Sequence, residues 1–440
     1  MTGPDKVVLK TEAHQRLEQL LEARIDEQMM TLDEIEAVVE EIGREMNAWL
    51  EERLIRHQEP PPSNQAACPQ CAHSGRYKRT LETSVLTSHG PRLIRRRYHH
   101  CPRCQKGFSP IDRVLGLEAG RDATRRIRAW QAKYGSEDSF ATVPELLRDL
   151  RGVEVSESTV ERTTVAVGNA VYAAAQRRTV GPPAPANGAV VGRRYLSMDG
   201  VYCPLRERWR RDGTLGKLVC RYGEVKLGMV FQTGEKDGLD TGVVARGCTA
   251  TLGDIHEFTP LVLDLAREWG ADRATELVVL GDGAEWIWNL AQKHLPGAIQ
   301  ILDFFHMSEH LHTVAKAMFP RKPTAAAAWV KDAQWAVERN LGCVVIRKIT
   351  EWEPRAKEGR EIRDRELGYF EGNAERMRYQ TYLQKGYMIG SGVIEAGCKQ
   401  VVVKRMRQSG MHWREATAQA VVAIRAHLKS TGASDLRAYA

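Results

Sequence analysis

The sequence predicts a multidomain α/β protein, and three observations carry that reading. After residue 190, short apolar strands alternate with helices of 3.6-residue period. Before residue 180 the chain reads as helix on either side of a cysteine-bearing segment. Between the two halves lies Gly181-Pro182-Pro183-Ala184-Pro185-Ala186-Asn187-Gly188, a stiff, polar linker. At 440 residues the chain is too long for one ordinary domain, and 42% hydrophobic residues suffice for real cores. No apolar run approaches the ~18 residues that a membrane span needs. Met1 to Lys10 lacks the apolar core of a signal peptide, so the expectation is a soluble, cytoplasmic protein.

Residues 11–57 read as helix. Thr31 and Glu34 form a capping box, and Ile35, Val38, Val39, Ile42, Met46, Trp49 and Leu50 then recur at three- and four-residue steps. With one apolar stripe and an acidic opposite face, this helix would pair with a second copy of itself or pack on its own chain. Glu59-Pro60-Pro61-Pro62-Ser63 ends it, because proline removes a backbone donor.

The net charge of +8 is unevenly spread. Residues 1–60 hold seven Lys/Arg against fifteen Asp/Glu, leaving the other 380 residues to carry +16. Residues 66–115 hold ten basic and two acidic side chains. Basic charge concentrated in one segment favours a polyanion, and without a basic amphipathic helix the polyanion is nucleic acid rather than lipid.

That basic segment contains Cys68-Pro69-Gln70-Cys71 and Cys101-Pro102-Arg103-Cys104, two C-x2-C pairs twenty-nine residues apart. Two residues between cysteines let both thiolates of a tight turn reach one Zn²⁺, so a structural zinc held by Cys68, Cys71, Cys101 and Cys104 is expected. His73, His99 and His100 are spare ligands. Cys203, Cys220, Cys248, Cys343 and Cys398 are scattered and read as small core residues. Arg92, Arg95, Arg96 and Arg97 precede the second knuckle as candidate phosphate contacts, the plainer alternative being a solvated run.

Thr142-Val143-Pro144-Glu145 offers a capping box, Leu146, Leu147 and Leu150 a buried side, Gly152 a turn, and Ser158 with Glu161 a second capping box. Two short helices about a glycine turn describe a helix-turn-helix, with Arg162, Thr163 and Thr164 facing DNA. Helix pairs of this kind are common without that function.

Beyond the linker, Tyr195 to Gly200 reads as a strand ending in an acid and a glycine. Tyr222 to Gln232 and Gly242 to Thr251 are two more strands, and Asp254 to Trp269 is a helix. Leu277 to Leu280 is a buried strand stopping at Gly281-Asp282-Gly283, followed by a helix from Glu285 and a strand at Ile299–Leu302. Three meandering strands followed by helices alternating with strands is the order of an RNase H-like fold. An acid beside glycine at a strand end is pushed clear of the sheet where a metal can approach, and Asp199 and Asp282 both have that form. Glu395 opens a helix after Ser391, among apolar neighbours, with Gly397 allowing close packing. Three carboxylates, Asp199, Asp282 and Glu395, can hold two Mg²⁺ (or Mn²⁺) ions, the all-oxygen set favouring magnesium over zinc.

The runs Ser197 to Gly200, Val278 to Leu290 (VVLGDGAEWIWNL), Gln300 to His306 (QILDFFH) and Gly390 to Gly410 (GSGVIEAGCKQVVVKRMRQSG) resemble bacterial DDE transposases of the Kra-type insertion-sequence family, related to the mutator-like group. The resemblance covers residue 66 to about 428. It implies catalysis by Asp199, Asp282 and Glu395, 83 and 113 residues apart, with 320–388 as the family's all-helical insertion before the last acid. It also matches an acid-x2-His motif to Asp303 and His306, which puts His306 near the scissile phosphate or makes the two a core pair. Trp286 and Trp288 could stack on a flipped base, core packing being the safer reading. Lys399, Lys404, Arg405 and Arg407 would hold the DNA backbone, as would Arg206 to Arg211, unless they are ordinary solvated surface.

The expected layout is thus an N-terminal helical region (1–62), a zinc-binding ribbon (66–115), a helix-turn-helix-like domain (116–180), the linker (181–189), and an RNase H-like core in two parts (190–319 and 389–440) around the helical insertion. The expected activity is cleavage of element ends and joining of the 3′-hydroxyl to target DNA, by a homodimer or larger assembly associated with the bacterial nucleoid. An RNase H-like nuclease without strand transfer, or a non-catalytic zinc-dependent DNA-binding regulator, are the alternatives.

Overall fold

A computed structural model describes residues 3–25, 29–118, 121–178, 191–211, 214–236 and 239–440. The side chains of 207–218 and 235–241 fall outside it, and so do the expected linker and the basic run beyond Arg206. The chain forms two compact units, Met1–Gly135 with Ser139–Thr163 and Ala440, and Ser136–Asp138 with Thr164–Tyr439. The boundary between the two units therefore falls inside a helix, at 163/164. Among the described residues no helix is long and apolar enough to cross a membrane.

In the first unit the expected single helix over 11–57 is two: α1 (Gly3–Glu22) and α2 (Leu32–His57). Thr31 caps α2 through the expected box, its hydroxyl accepting from the Glu34 N–H while the Glu34 carboxylate accepts from the Thr31 N–H at 2.8 Å. α1 supplies a partner for α2 within the chain. Leu20 and Ile42 are buried, and Arg16 bonds Glu45 at 3.0 Å and Arg24 bonds Glu41 at 3.3 Å. Ile35 and Val39 stay exposed.

A four-stranded antiparallel sheet follows, β1 (Gln65–Ala67), β2 (Ser74–Thr87), β3 (Gly90–His100) and β4 (Gly107–Phe108), paired in sequence order. Then come α3 (Pro110–Val114), α4 (Arg125–Glu137), α5 (Thr142–Arg151) and α6 (Glu157–Arg178). Ile127, Val143, Leu147, Val153 and Val160 form a small core. Gly152 ends α5 at φ +62°, a left-handed conformation that glycine adopts without a Cβ penalty. The two capping signals sit upstream of where the sequence puts them. Ser139 accepts from the Thr142 N–H, and Ser156 accepts from the Thr159 N–H. Leu150 is exposed and Thr164 is buried, so neither does what the helix-turn-helix reading asks of it.

The second unit holds a five-stranded sheet of order β7-β6-β5-β8-β9, from β5 (Arg194–Arg211), β6 (Thr214–Lys236), β7 (Leu239–Thr251), β8 (Leu277–Gly281) and β9 (Ile299–Leu302). The first three are antiparallel, while β8 and β9 run parallel to β5. β5 does not stop at Asp199 as expected. It continues because it forms a long hairpin with β6, and only its pairing with β8 ends there, at Ser197 opposite Leu280.

α7 (Ile255–Glu268), capped by Asp254, and α8 (Glu285–His294) separate the strands. After β9 the chain is helical: α9 (Phe304–Met318), α10 (Pro323–Val337), α11 (Gly342–Thr350), α12 (Lys357–Gly372) and α13 (Tyr379–Gln384). α14 (Gly392–Cys398) runs through a π-helical turn (Lys399–Val403) into α15 (Lys404–Met406), and α16 (Glu415–Leu428) follows.

Strand alternation assigns helices to the two sheet faces. A Cβ on Gly228 would meet Val262 and Phe258 of α7, whereas its neighbours Leu227 and Met229 meet Gly397 of α14. The Met229 sulfur would lie 2.2 Å from a Cβ on Gly397, so only glycine lets α14 lie this close. The sheet is therefore covered on both sides, which is why β5, β6 and β8 carry near-continuous apolar burial.

Candidate active site and metal centre

The four knuckle cysteines of the first unit converge. Their sulfurs all lie within 4.8 Å of one another, with Cys68 to Cys104 at 3.5 Å and Cys71 to Cys101 at 3.6 Å. A tetrahedral ion with bonds of about 2.3 Å needs edges of roughly 3.8 Å, so the set fits zinc. Backbone builds the knuckles: Ala72 N–H bonds the Cys68 carbonyl and Cys101 N–H bonds the Lys106 carbonyl, both at 2.9 Å, with Ala72 and Gln105 at positive φ. The Gln70 N–H helps hold the Cys68 thiol down to about 7, while burial pushes Cys104 up to about 12. His99 is no ligand; its ring faces the Arg97 and Ser63 carbonyls.

Alternation along β3 splits the four arginines. Arg92 bonds Glu51 at 3.1 Å and Arg96 bonds Asp112 at 2.7 Å, so both are held in ion pairs. Arg97 lies over the Tyr77 ring at 4.4 Å, and Arg95 is exposed. Arg162 is exposed on α6, near its start.

In the second unit, Asp199 pairs in register with Leu227, and so faces α14. Its Oδ2 accepts from the Cys398 thiol at 3.3 Å, and its Oδ1 from the Gly200 N–H at 2.6 Å. Burial raises the Asp199 carboxyl above the usual carboxylate range, and the neighbouring negative charge of Asp282 raises it further. Asp282 lies just past the end of β8, where its Oδ1 accepts from the Ala284 N–H at 2.9 Å. Glu395 is on α14 and is exposed, not buried among its apolar neighbours as the sequence suggests. Ile394, Gly397 and Cys398 take the sheet side while the carboxylate opens outward.

Asp303 joins these elements. Fully buried at 0% exposure, it caps α9, accepting from the His306 N–H (2.8 Å) and facing His306 Nδ1 (2.5 Å). Its other oxygen accepts from the Ser391 N–H at 2.7 Å, and Ser391 Oγ donates to Glu395 at 2.8 Å. Ser391 thus reaches the third acid instead of capping its helix. Ligand atoms of Asp303, His306 and Glu395 lie within 4.8 Å of one another. Both Asp303 oxygens are already engaged, however, and the Asp303 carboxylate raises His306 to about 9, so this pair is better suited to orienting than to ligating. Asp199, Asp282 and Glu395 carry the oxygen donors that a hard divalent cation takes, but their ligand atoms do not form a group lying within 4.8 Å of one another; Glu395 comes that close to Asp303 and His306 instead.

Lys399, Lys404 and Arg407 are exposed. Arg405 is not a DNA contact: it is 1% exposed, lies over the Trp413 ring at 4.6 Å, and is lowered to about 10 by burial. The π-helical turn explains the reversal, since one added residue per turn rotates everything after it. Trp288 is buried with Arg376 over its ring, and Trp286 packs on Phe258, as core packing requires. Cys203, Cys248 and Cys398 are buried as expected, but Cys220 and Cys343 are exposed. The sequence reading missed the site roles of Cys398, one helical turn beyond Glu395, and of Tyr369, whose hydroxyl donates to the Asp282 carbonyl at 2.9 Å. Only the i, i+3 spacing from Glu395 hinted at the first, and nothing local marked the second. No protein-family model matches the chain, and no curated protein matches it.

Proposed function

We propose that the chain is a DDE transposase, which cleaves DNA at element ends and joins the freed 3′-hydroxyl to target DNA. The observation that carries the reading is the placement of three acids on elements that adjoin one another: Asp199 on β5, Asp282 at the end of the adjacent parallel strand β8, and Glu395 on the helix that Asp199 faces. The strand order supports an RNase H-like core, with 320–388 as an all-helical insertion before the third acid.

In this reading Asp199, Asp282 and Glu395 hold divalent cations. The chemistry a bound Mg²⁺ pair supplies is activation of water or a 3′-hydroxyl and stabilisation of the leaving 3′ oxygen. The chain's own residues do the rest. His306, protonated at neutral pH by its Asp303 partner, offers a positive N–H donor to a phosphate oxygen near Asp282. Ser391 orients the Glu395 carboxylate, and the Cys398 thiol orients Asp199. Lys399, Lys404 and Arg407 supply exposed charge for the DNA backbone. A four-cysteine zinc site in the first unit would serve as a rigid base for end binding, with Arg95, Arg97 and Arg162 as the phosphate contacts left by the ion pairing of Arg92 and Arg96. The protein would act as a dimer or larger assembly, since two ends must be held together, in the bacterial cytoplasm on the nucleoid.

The experiment is a Mg²⁺-dependent cleavage and strand-transfer assay on DNA carrying the terminal repeats of the encoding element, comparing wild type with Asp282→Ala. Joined products from wild type alone are expected. Cleavage without joining would replace the transposase with a nuclease, and tight binding with neither would leave a DNA-binding regulator.

A further inference from the structure

The turn that carries Asp282 is held from outside the sheet. Gly283 sits at φ +105°, and a Cβ there would lie 2.5 Å from the Tyr369 ring. Tyr369 comes from α12, in the helical segment 320–388, and its hydroxyl donates to the Asp282 carbonyl at 2.9 Å. The ring therefore fills the space that the glycine leaves, while the hydroxyl ties down the backbone of the acid itself.

Tyr369 is in turn fixed in place. The His310 imidazole stacks on its ring, centroids 3.6 Å apart and planes 15° from parallel, and Phe370 meets it edge-on at 5.5 Å. His310 Nδ1 is bonded to Glu366 Oε2 at 2.5 Å. Glu366 is 1% exposed, and its second oxygen accepts from Arg365 at 2.7 and 2.8 Å. A buried carboxylate satisfied on both oxygens is costly to displace, so α9 and α12 are locked together at the level of Tyr369. The Asp282 turn thus carries two restraints, the internal bond from Ala284 N–H to Oδ1 and the external bond from Tyr369.

We propose that Tyr369 is a positioning residue for Asp282, so that the helical segment 320–388, through the Glu366–His310–Tyr369 stack, sets how tightly the acid cluster holds a divalent cation. This rests on the reading of Asp199, Asp282 and Glu395 as metal ligands. Ligand orientation by partners outside the coordination sphere commonly changes metal affinity about 10- to 100-fold, and a single neutral hydrogen bond sits at or below the lower end of that range.

The experiment is Mn²⁺ binding to the full-length, zinc-loaded, DNA-free protein, read by electron paramagnetic resonance, with thermal unfolding followed in parallel. Asp282→Ala should abolish the tight Mn²⁺ site. Tyr369→Phe, which keeps the ring and the stack and removes only the hydroxyl, should weaken that site about three- to tenfold with little change in Tm. His310→Leu, which frees the ring, should weaken it as much or more. If Asp282→Ala removes tight binding while Tyr369→Phe and His310→Leu bind like wild type, the positioning role is overturned, including the case where only Tm falls. If wild type and Asp282→Ala bind Mn²⁺ alike, the metal-ligand reading falls and the inference falls with it.

Discussion

The two ligand clusters of this chain are built on opposite plans. In the first unit Cys68, Cys71, Cys101 and Cys104 come from the turns that join β1 to β2 and β3 to β4. In the second, Asp199 and Asp282 sit on adjacent strands of a sheet covered on both faces and Glu395 on α14 packed against it, beside a core that includes Tyr195, Leu196, Val278 and Val279. The thiol cluster has its ligands drawn together by backbone turns. The carboxylate cluster has its scaffold finished and its charges in conflict. A zinc ion on the four thiols would complete a fold, whereas the acids stand on a fold already complete.

The largest effect should come from taking the first metal away. Structural zinc binding is worth about 10–16 kcal/mol in small metal domains. Chelation or Cys68→Ser should abolish amide-exchange protection across β2 and β3 while leaving β5 and β8 protected. Intact protection in β2 and β3 without zinc would erase the contrast between the clusters.

The second largest should come from overfilling the scaffold of the acid cluster. Gly397→Val forces a side chain against Met229 and Leu227, and overpacking of this kind costs about 1–3 kcal/mol. Denaturant unfolding measures the cost. Because α14 must move to make room, Glu395 moves too, and cleavage should fall well beyond the loss of folded protein. An unaltered midpoint would mean that α14 lies less close to the sheet than described.

A smaller effect sharpens the charge conflict. Burial and Asp282 raise the Asp199 carboxyl, so its ionised form costs stability at neutral pH, and that cost disappears as pH falls through the raised value. Asp282→Asn should bring the Asp199 carboxyl down, as carbon-13 NMR of the metal-free protein would read. No downward movement would mean that the two acids are not neighbours.

The smallest concerns His306. Its folded value of about 9 lies above the ordinary imidazole range, so its stabilising contribution is complete below that range and is lost as pH rises through about 9. Ring-proton NMR of metal-free protein should show a titration near pH 9, and Asp303→Asn should return it toward neutrality. Titration near 6.5 in wild type would break the Asp303–His306 pair.

The parts of this design that were legible in sequence are those written in local spacing. The two C-x2-C pairs, the Thr31–Glu34 box and the bounds of Ile299–Leu302 all follow from residues within a few positions of one another. A glycine beside an acid does mark a strand end at Asp282, but not at Asp199, where β5 runs on through Gly200. What stayed hidden depends on long-range packing or a change of period. β5 runs past Asp199 because of β6, α2 is covered by α1, and Arg405 turns inward because of a π-helical turn that no 3.6-residue template anticipates. Tyr369 lies 87 residues from the acid it touches, with no local pattern to announce it.

Arg425 shows how the second unit is stitched into the chain. Its side chain, 0% exposed on α16, donates to the Ser136 carbonyl at 2.7 Å, to the Glu137 carboxylate at 2.8 Å and to the Val401 carbonyl at 2.8 Å, and it also bonds the Gln400 carbonyl. Three residues from the N-terminal half, Ser136 to Asp138, therefore belong physically to the half that carries the acids. A fragment excised at residue 164 or 190 would strand a buried guanidinium without its carboxylate, a loss of roughly 3–5 kcal/mol for pairs of this kind. The acid-bearing half is not a cassette that can be lifted out by cutting near the proline-rich stretch; it has to be inherited, expressed and exchanged together with the helix that precedes it.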